Sequence, residues 1–579
     1  MKLKQYITAG CVAMAALSLT SCMDLEPKAQ MGDNLVWNSA ENFQLFANQF
    51  YGWTADMERW FDDSPHSDYR SDLVCKNTVN SYSQGTNTVP ATDSYYTSPY
   101  TRIYYCNLLL KNAADFADQA SIAVPIAEAK FFRAYEYFDL VQLYGNVALL
   151  TSPVDLDSEA LYGPRTDRSL VIDQCVQDLL DAEELLPDAP TAEGRLCKDA
   201  ARAMLSRVAL YEGTWQKFHT DGMNATTTND RAASLLKIAA DAAKRVIDAN
   251  RYSLFYNNTL GIQSYRYMFI LEDEQCNPAG LTKSNNTEYI LAHRHRLGDK
   301  TGRNITHAIT TSFNFWVTSK LAELYLCQNG LPITYNGQTN PTFQGYTNPE
   351  TEYANRDNRM KTTLLMPGQQ YFDNDSKWRT SWSDADYSNC KTAGNIVSSS
   401  GYALWKWATE RQVDDYNESY DFPVIRLAEV YLNYAEAKFE LDNKISDADL
   451  TWLNKVRKRV NTTMPDLTNA LVTNNGLSMR EEIRRERTVE LFEEGFRIDD
   501  LKRWATAPQE MSKDITGVVA KGNWYETNWS HGKPLDDEGH IIIYTDRSAW
   551  KTSSKLYLYP IPSDQLQLNP ALQQNYGWE

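Results

Sequence analysis

Cysteine is sparse and follows no pairing pattern. Nine occur in 579 residues. Cys11 and Cys22 lie in the N-terminal run, which leaves Cys75, Cys106, Cys175, Cys197, Cys276, Cys327 and Cys390. Seven is odd, and no pair has C-x-x-C spacing, which excludes a disulfide framework and a zinc module. Most of these thiols are expected to be buried as small apolar groups. Catalytic signatures are missing too: there is no H-E-x-x-H, no G-x-S-x-G and no G-x-x-x-x-G-K-[ST]. His293-x-His295 has no matching third ligand in the sequence and reads as structural. Asp384-x-Asp386 and Asp536-Asp-Glu538 lack the glycine of a calcium loop and read as solvated turns. No catalytic residue, metal ligand or cofactor is therefore assigned. Basic residues are outnumbered, 57 Lys and Arg against 75 Asp and Glu, for a net charge of −18. Such a surface repels phosphate backbones, which excludes nucleic acid as a partner, and it suits a neutral ligand. There is one long apolar run, and mean hydropathy is −0.53, which argues against membrane spans.

That run, Ile7 to Leu19 behind Lys2 and Lys4, is too short to cross a bilayer and has the layout of a secretory signal. Leu19-Thr-Ser-Cys22 matches a lipoprotein processing box, so residues 1–21 read as the leader and Cys22 as the lipidated residue. Several acyl chains hold a soluble domain better than one, at about 0.8 kcal/mol per buried CH2. Cleavage would remove Lys2 and Lys4 and take the net charge from −18 to −20. Residues 22–38 read as a linker. Met23-Asp-Leu-Glu26 resembles the surface-export signal of Bacteroidetes lipoproteins, which implies an outward-facing protein.

Helical patterns follow. Asn38 with Glu41 is expected to cap a helix carrying Phe43, Phe46 and Phe50. Segment 129–145 is apolar on more than one side and should stop at Gly145. Segments 170–186, 200–211 and 232–247 are similar, with small residues such as Ala203 and Ala239 that permit close helix approach. Pro423 suits a first helical turn, and Ile425, Ala428, Leu432, Ala435 and Phe439 share one face behind it. Val424, Leu427, Tyr431 and Tyr434 form a second apolar row, so this helix must lie between neighbours. Glu429, Asn433, Glu436 and Glu440 make its polar stripe. Ser478 with Glu481 reads as a capping box and Gly495 as the stop of the helix behind it. Glu481 and Arg485 are spaced for an ion pair. The charges from Arg484 through Arg503 read as a solvated, salt-bridged face. The fold class is mainly all-α, a tetratricopeptide-like stack of helical hairpins with a large loop-rich, minor-β insert.

Several blocks resemble the SusD/RagB family. They are Arg426-Leu-Ala-Glu-Val-Tyr-Leu-Asn-Tyr-Ala-Glu-Ala437, Asn454-Lys-Val-Arg457, Arg484-Arg-Glu-Arg-Thr-Val-Glu-Leu491, Gly495-Phe-Arg497 and Leu501-Lys-Arg-Trp504. Leu556-Tyr-Leu-Tyr-Pro-Ile-Pro562, Asn569-Pro-Ala-Leu572 and Gln574-Asn-Tyr-Gly-Trp578 complete the order. The resemblance implies stacked hairpins at 39–118, 129–187, 198–250 and 423–461. It also implies a non-catalytic outer-membrane lipoprotein that binds a glycan and hands it to a SusC-like TonB-dependent transporter. The chain then divides into a helical scaffold, 39–254, with a ligand-side loop at 61–99; a ligand-side insert, 255–421; and a C-terminal helical region, 422–579.

The sequence holds 35 Tyr and 15 Trp. A sugar ring has an apolar face that a flat aromatic covers and a hydroxyl rim that Asp, Asn and Arg can bond. Tyr82, Tyr95, Tyr96, Trp316, Trp378 and Trp382 are the stacking candidates, and Asp68 and Arg70 the rim candidates. Three rivals stand beside this reading: capture of a peptide or other non-glycan nutrient, a surface glycoside hydrolase, and a lid that binds nothing itself.

Overall fold

A computed structural model describes residues 37–57, 63–76, 78–155, 158–219, 229–296, 305–306, 308–309, 315–373, 377–380, 400–410, 417–528, 532–552 and 554–579. Cys22, read from sequence as the lipidated residue, lies outside them, as do Cys390 and Trp382.

The chain is mainly helical. Helix α1 (Ala40–Ala47) leads to α2 (Ser94–Ala114), α3 (Ala123–Tyr144), α4 (Arg168–Leu185), α5 (Lys198–Phe218) and α6 (Asn229–Ala249). After the irregular middle come α7 (Leu427–Asp442), α8 (Thr451–Lys458), α9 (Met479–Glu490) and α10 (Arg497–Arg503). Each of α2 to α6 packs on the next, and α7 extends the stack against α6. Ala203, Ala209, Ala239 and Ala243 are buried where these helices meet. Gly145 ends α3 at φ 72°, a left-handed position natural to glycine.

The strands are short: β1 (Val74–Cys75), β2 (Tyr289–His293), β3 (Trp316–Val317), β4 (Leu364–Leu365), β5 (Gln370–Asp373), β6 (Lys377–Thr380), β7 (Tyr402–Leu404), β8 (Phe422–Arg426), β9 (Ile515–Val519) and β10 (His540–Tyr544). One antiparallel sheet has the order β1-β3-β7-β4, with Trp316 opposite both Cys75 and Ala403. The loop 61–99 and the insert 255–421 therefore share backbone pairing and one apolar core, which includes Leu73, Val74, Phe269, Trp316, Trp407 and Phe492. A separate core fills the helical stack.

Five local expectations are corrected. The first cap is Ser39, whose side chain accepts from the Asn42 amide, rather than Asn38. Pro423 lies in β8, not in a first helical turn: β8 pairs with β2, and its register shifts between Pro423 and Ile425. A proline has no amide to give a ladder, so a bulge accommodates it. Ser478 does accept from the Glu481 amide, at 3.5 Å. Helix α9 nevertheless ends at Glu490, and both Glu493 (φ 57°) and Gly495 (φ 83°) turn left-handed behind it. Glu481 pairs with Arg484 at 3.6 Å, while Arg485 takes Glu482 at 3.3 Å.

The fifth correction is the largest. Most charges of α9 and α10 are interior, not solvated, with Glu481 the exposed exception. Glu486, Arg487, Glu490, Arg497, Asp499, Asp500, Lys502 and Arg503 are all buried. Helix α7 is buried at all but three of its 16 residues, so its polar stripe faces partners rather than water. Glu429 binds Arg207, Asn433 binds Arg487, Glu436 binds Arg503, and Glu440 binds Lys217 and Arg480. Buried charges persist only when paired and hydrogen-bonded. Here the partners come from elements distant in sequence, such as Asp72 for Arg497 at 2.8 Å.

Candidate functional site

The rings of α2 build an open concavity. Asp93 caps this helix by accepting from the Tyr95 amide. Pro99 sits inside it, so the helix begins within the stretch read from sequence as loop 61–99. Tyr96, Tyr100 and Tyr104 follow at four-residue steps and share one face. With Tyr105, Tyr162, the 148–154 connection and the C-terminal residues Leu568 and Leu572, they line a cavity of about 610 Å³. That volume is typical of a small-molecule site.

The floor is rigid. Tyr96 is buried, with its ring edge-on to Tyr144 at 5.0 Å, and the Tyr144 hydroxyl donates to Asp93 at 2.7 Å. Tyr100 donates to the Ala148 carbonyl at 3.1 Å, and Asn107 donates to the carbonyls of Leu150 and Ser152. The rim is open: Tyr104, Tyr105, Tyr162 and Leu568 are all exposed. Exposed rings above an ordered floor, with Thr97, Thr101, Gln565 and Asn569 between them, offer apolar faces and hydroxyl-bonding groups together. Among the described residues, none of 255–421 lines this cavity.

Among the described residues, only some of the sequence candidates reach it. Tyr96 forms its wall, and Tyr95 is a half-buried neighbour on α2. Trp316 is 1% exposed in the central sheet of the mixed core. Asp68 is buried and accepts from the Glu493 amide at 2.7 Å. Burial pushes the Asp68 carboxyl up to about 7, against the pull of that amide and of Arg497. Arg70 is buried over the Tyr82 ring at 3.7 Å and donates to Asp63 and to the Tyr559 hydroxyl. The surroundings of Asp68, Arg70 and Trp316 thus give them interior roles, and Tyr82 is half-buried against Tyr559. Trp378 lies on β6 opposite Phe372. Sequence reading missed Tyr100, Tyr104, Tyr105 and Tyr162. The four-residue tyrosine spacing after Asp93 was the available signal, masked by Pro99.

A second constellation lies inside the molecule. His66 stands between Asp139 (2.7 Å) and Asp499 (2.6 Å), joining the 63–76 segment to α3 and α10. Burial works against a charged ring, but the two carboxylates outweigh it and raise the imidazole to about 9. A charged ring held by two acids is a structural tie.

A model described as the SusD family matches residues 286–578. The chain belongs to the SusD family. A second model, described as starch-binding associating with outer membrane, matches residues 21–210. A SusD-like carbohydrate binding protein from Bacteroides fragilis is similar in structure, with TM-score 0.71 and 24% identity over 93% of this chain and 100% of that one. A second SusD-like protein from the same species gives TM-score 0.68 at 22% identity, over 94% and 98%. In sequence, a SusD-like protein of Formosa agariphila is 32% identical over 122 residues, 20% of this chain and 23% of that protein. Another from the same organism is 28% identical over 159 residues, 27% and 31%. The match thus spans less than a third of either curated relative. Among the described residues, no helix of this SusD-family chain is long and apolar enough to cross a membrane.

Proposed function

We propose that this SusD-family protein is a lipid-anchored protein on the outer face of the outer membrane. It captures a polysaccharide or oligosaccharide there and delivers it to a SusC-like TonB-dependent transporter, breaking no bond. Family membership supports the class, and the lipoprotein box at Cys22 supports the anchor. The observation that carries glycan capture is the tyrosine-lined cavity, where exposed rings stand over an ordered hydrogen-bonded floor.

Tyr104, Tyr105 and Tyr162 are the proposed stacking rings, with Tyr95 and Tyr96 supporting them from α2. Trp378 and Trp382 remain proposed contacts on the insert 255–421, which would form a further outward face. A net charge of −18 favours neutral sugars over acidic ones. Stacking on open rings gives weak, reversible attachment, which a donor to a transporter needs.

The test is migration of the mature protein through native gels containing candidate polysaccharides, with Tyr104→Ala, Tyr105→Ala and Tyr162→Ala combined as comparison. Retardation lost in the triple variant supports the cavity, and retardation unchanged removes it. New reducing ends after incubation would replace this reading with the hydrolase, and retention of peptides alone with the peptide-capture reading.

A further inference from the structure

The pair His293-x-His295 lacks a third partner in the sequence, and the fold supplies one. His293 is the last residue of β2 and His295 follows two residues on, so an extended chain presents both on one side. Asp56 comes to them from the turn after Trp53, more than 200 residues earlier. One donor atom from each of the three lies within 4.8 Å of the others. Asp56 Oδ2 is 3.7 Å from His293 Nε2, and Asp56 Oδ1 is 3.3 Å from His295 Nε2. All three side chains are half-buried.

The surroundings aim these atoms. The Thr54 hydroxyl donates to the Tyr51 carbonyl at 2.9 Å. Its oxygen lies 2.8 Å from His293 Nδ1 and can therefore only accept there. A neutral His293 ring then carries its hydrogen on Nδ1 and turns the Nε2 lone pair towards Asp56. A lone pair facing a carboxylate oxygen at 3.7 Å makes no hydrogen bond. It is a natural separation for two ligands of one cation, since tetrahedral bonds of about 2.0–2.1 Å place ligand atoms roughly 3.3 Å apart. The Met57 amide donates to Asp56 Oδ1 at 2.6 Å, and the His295 amide donates to Asp421 at 3.0 Å, so carboxylate and strand extension are both held. A carboxylate, backbone carbonyl or water behind a ligating imidazole is the usual orienting partner in metal sites, and the Thr54 hydroxyl takes that place here.

We propose that Asp56, His293 and His295 bind one divalent transition-metal ion of the zinc class. Two imidazoles and one carboxylate favour zinc and its late first-row neighbours over calcium or magnesium, which prefer oxygen-only shells. Three protein ligands leave a fourth position to water or to a group brought by a ligand. Bound there, the ion clamps the turn at 54–57 to the end of the β2–β8 ladder.

The experiment is calorimetric titration of ZnCl2 into the chelator-treated mature protein, beside His293→Ala, His295→Gln and Thr54→Val proteins whose circular dichroism melts confirm folding. The expected result is one equivalent bound with micromolar or tighter affinity. Affinity should fall at least 100-fold in either histidine variant and about 10-fold in Thr54→Val. Co2+ should give a tetrahedral visible spectrum that Zn2+ displaces and Ca2+ does not. Absence of saturable Zn2+ binding, or binding that survives both histidine variants, overturns the site. Displacement of Co2+ by Ca2+ overturns the assigned metal class.

Discussion

Arg426 and Glu494, 68 residues apart, meet as a two-pronged ion pair in which Nε donates at 2.6 Å and Nη2 at 2.8 Å. Both side chains are only 2% exposed. The remaining Nη1 donates to Glu288 at 2.8 Å and to Glu490 at 2.7 Å. One guanidinium thus fastens the β8–α7 junction to the end of α9 and to the start of β2. Removing it leaves buried carboxylates short of a cation, which costs about 3–5 kcal/mol. Arg426→Met is expected to lose that much in urea unfolding. A loss below about 1 kcal/mol would show that Arg459, 2.9 Å from both Glu288 and Glu490, and Lys406, 2.7 Å from Glu494, suffice alone.

Stability should decline at both ends of the pH scale, for opposite reasons. His66 has its folded value raised from 6.5 to about 9. Its contribution is complete below about pH 6.5 and is lost as pH rises through 9, amounting to about 3 kcal/mol. Glu490 runs the other way. Burial opposes its charge, but Arg459, Arg426 and Arg359 hold it down to about 2. Its contribution is present above about pH 4.5 and is lost as pH falls towards 2. Denaturation midpoints from pH 6 to 10 should fall in the wild type and fall less in His66→Gln. Equal slopes would refute the His66 tie.

Gly517 in β9 is a position of close backbone approach. A Cβ there would lie 2.1 Å from the Ser400 carbonyl oxygen, whose neighbouring bond from the Val518 amide is 2.7 Å. Gly517→Ala must push two backbones apart, so a loss of about 3 kcal/mol or more is expected. Gly52→Ala, where nothing lies within 4 Å, should change stability by less than about 1 kcal/mol. Similar melting temperatures for the two variants would contradict the close approach.

Trp316 and the cavity tyrosines should separate stability from binding. Trp316→Ala opens the mixed core and should cost about 3–5 kcal/mol. Where folded, it should keep its glycan affinity. The combined Tyr104, Tyr105 and Tyr162 alanine variant should keep its melting temperature within a few degrees and bind glycan at least about tenfold more weakly, a change of roughly 1.4 kcal/mol. Tyr256→Ala, exposed but outside the cavity, serves as the unchanged control. The reverse pattern, with Trp316 needed for affinity and the tyrosines dispensable, would move the binding surface to the mixed core.

The helices with strong periodicity were legible in place and in their stops, such as Gly145 at the end of α3, and the burial of α7 between neighbours could be read as well. The beginning of α2 was not, because Pro99 reads as a helix boundary although a helix tolerates it near its start. Pro423 misled in the opposite direction, since the same residue fits a first helical turn and a bulged edge strand. The candidate rings divided in the same way. Abundance of tyrosine and tryptophan was visible, but exposure depends on what packs over each ring.

By itself, the amino-acid sequence determined the helical class, the family blocks and the acidic balance, because each of these is written in neighbouring residues. Only the tertiary structure decided that the charge run of α9 and α10 lies inside, that open rings gather on α2 rather than around Trp316, and that Asp56 reaches two histidines across more than 200 residues. Burial, pairing and ligand geometry are relations between distant segments, and a linear pattern carries no record of the distance between them.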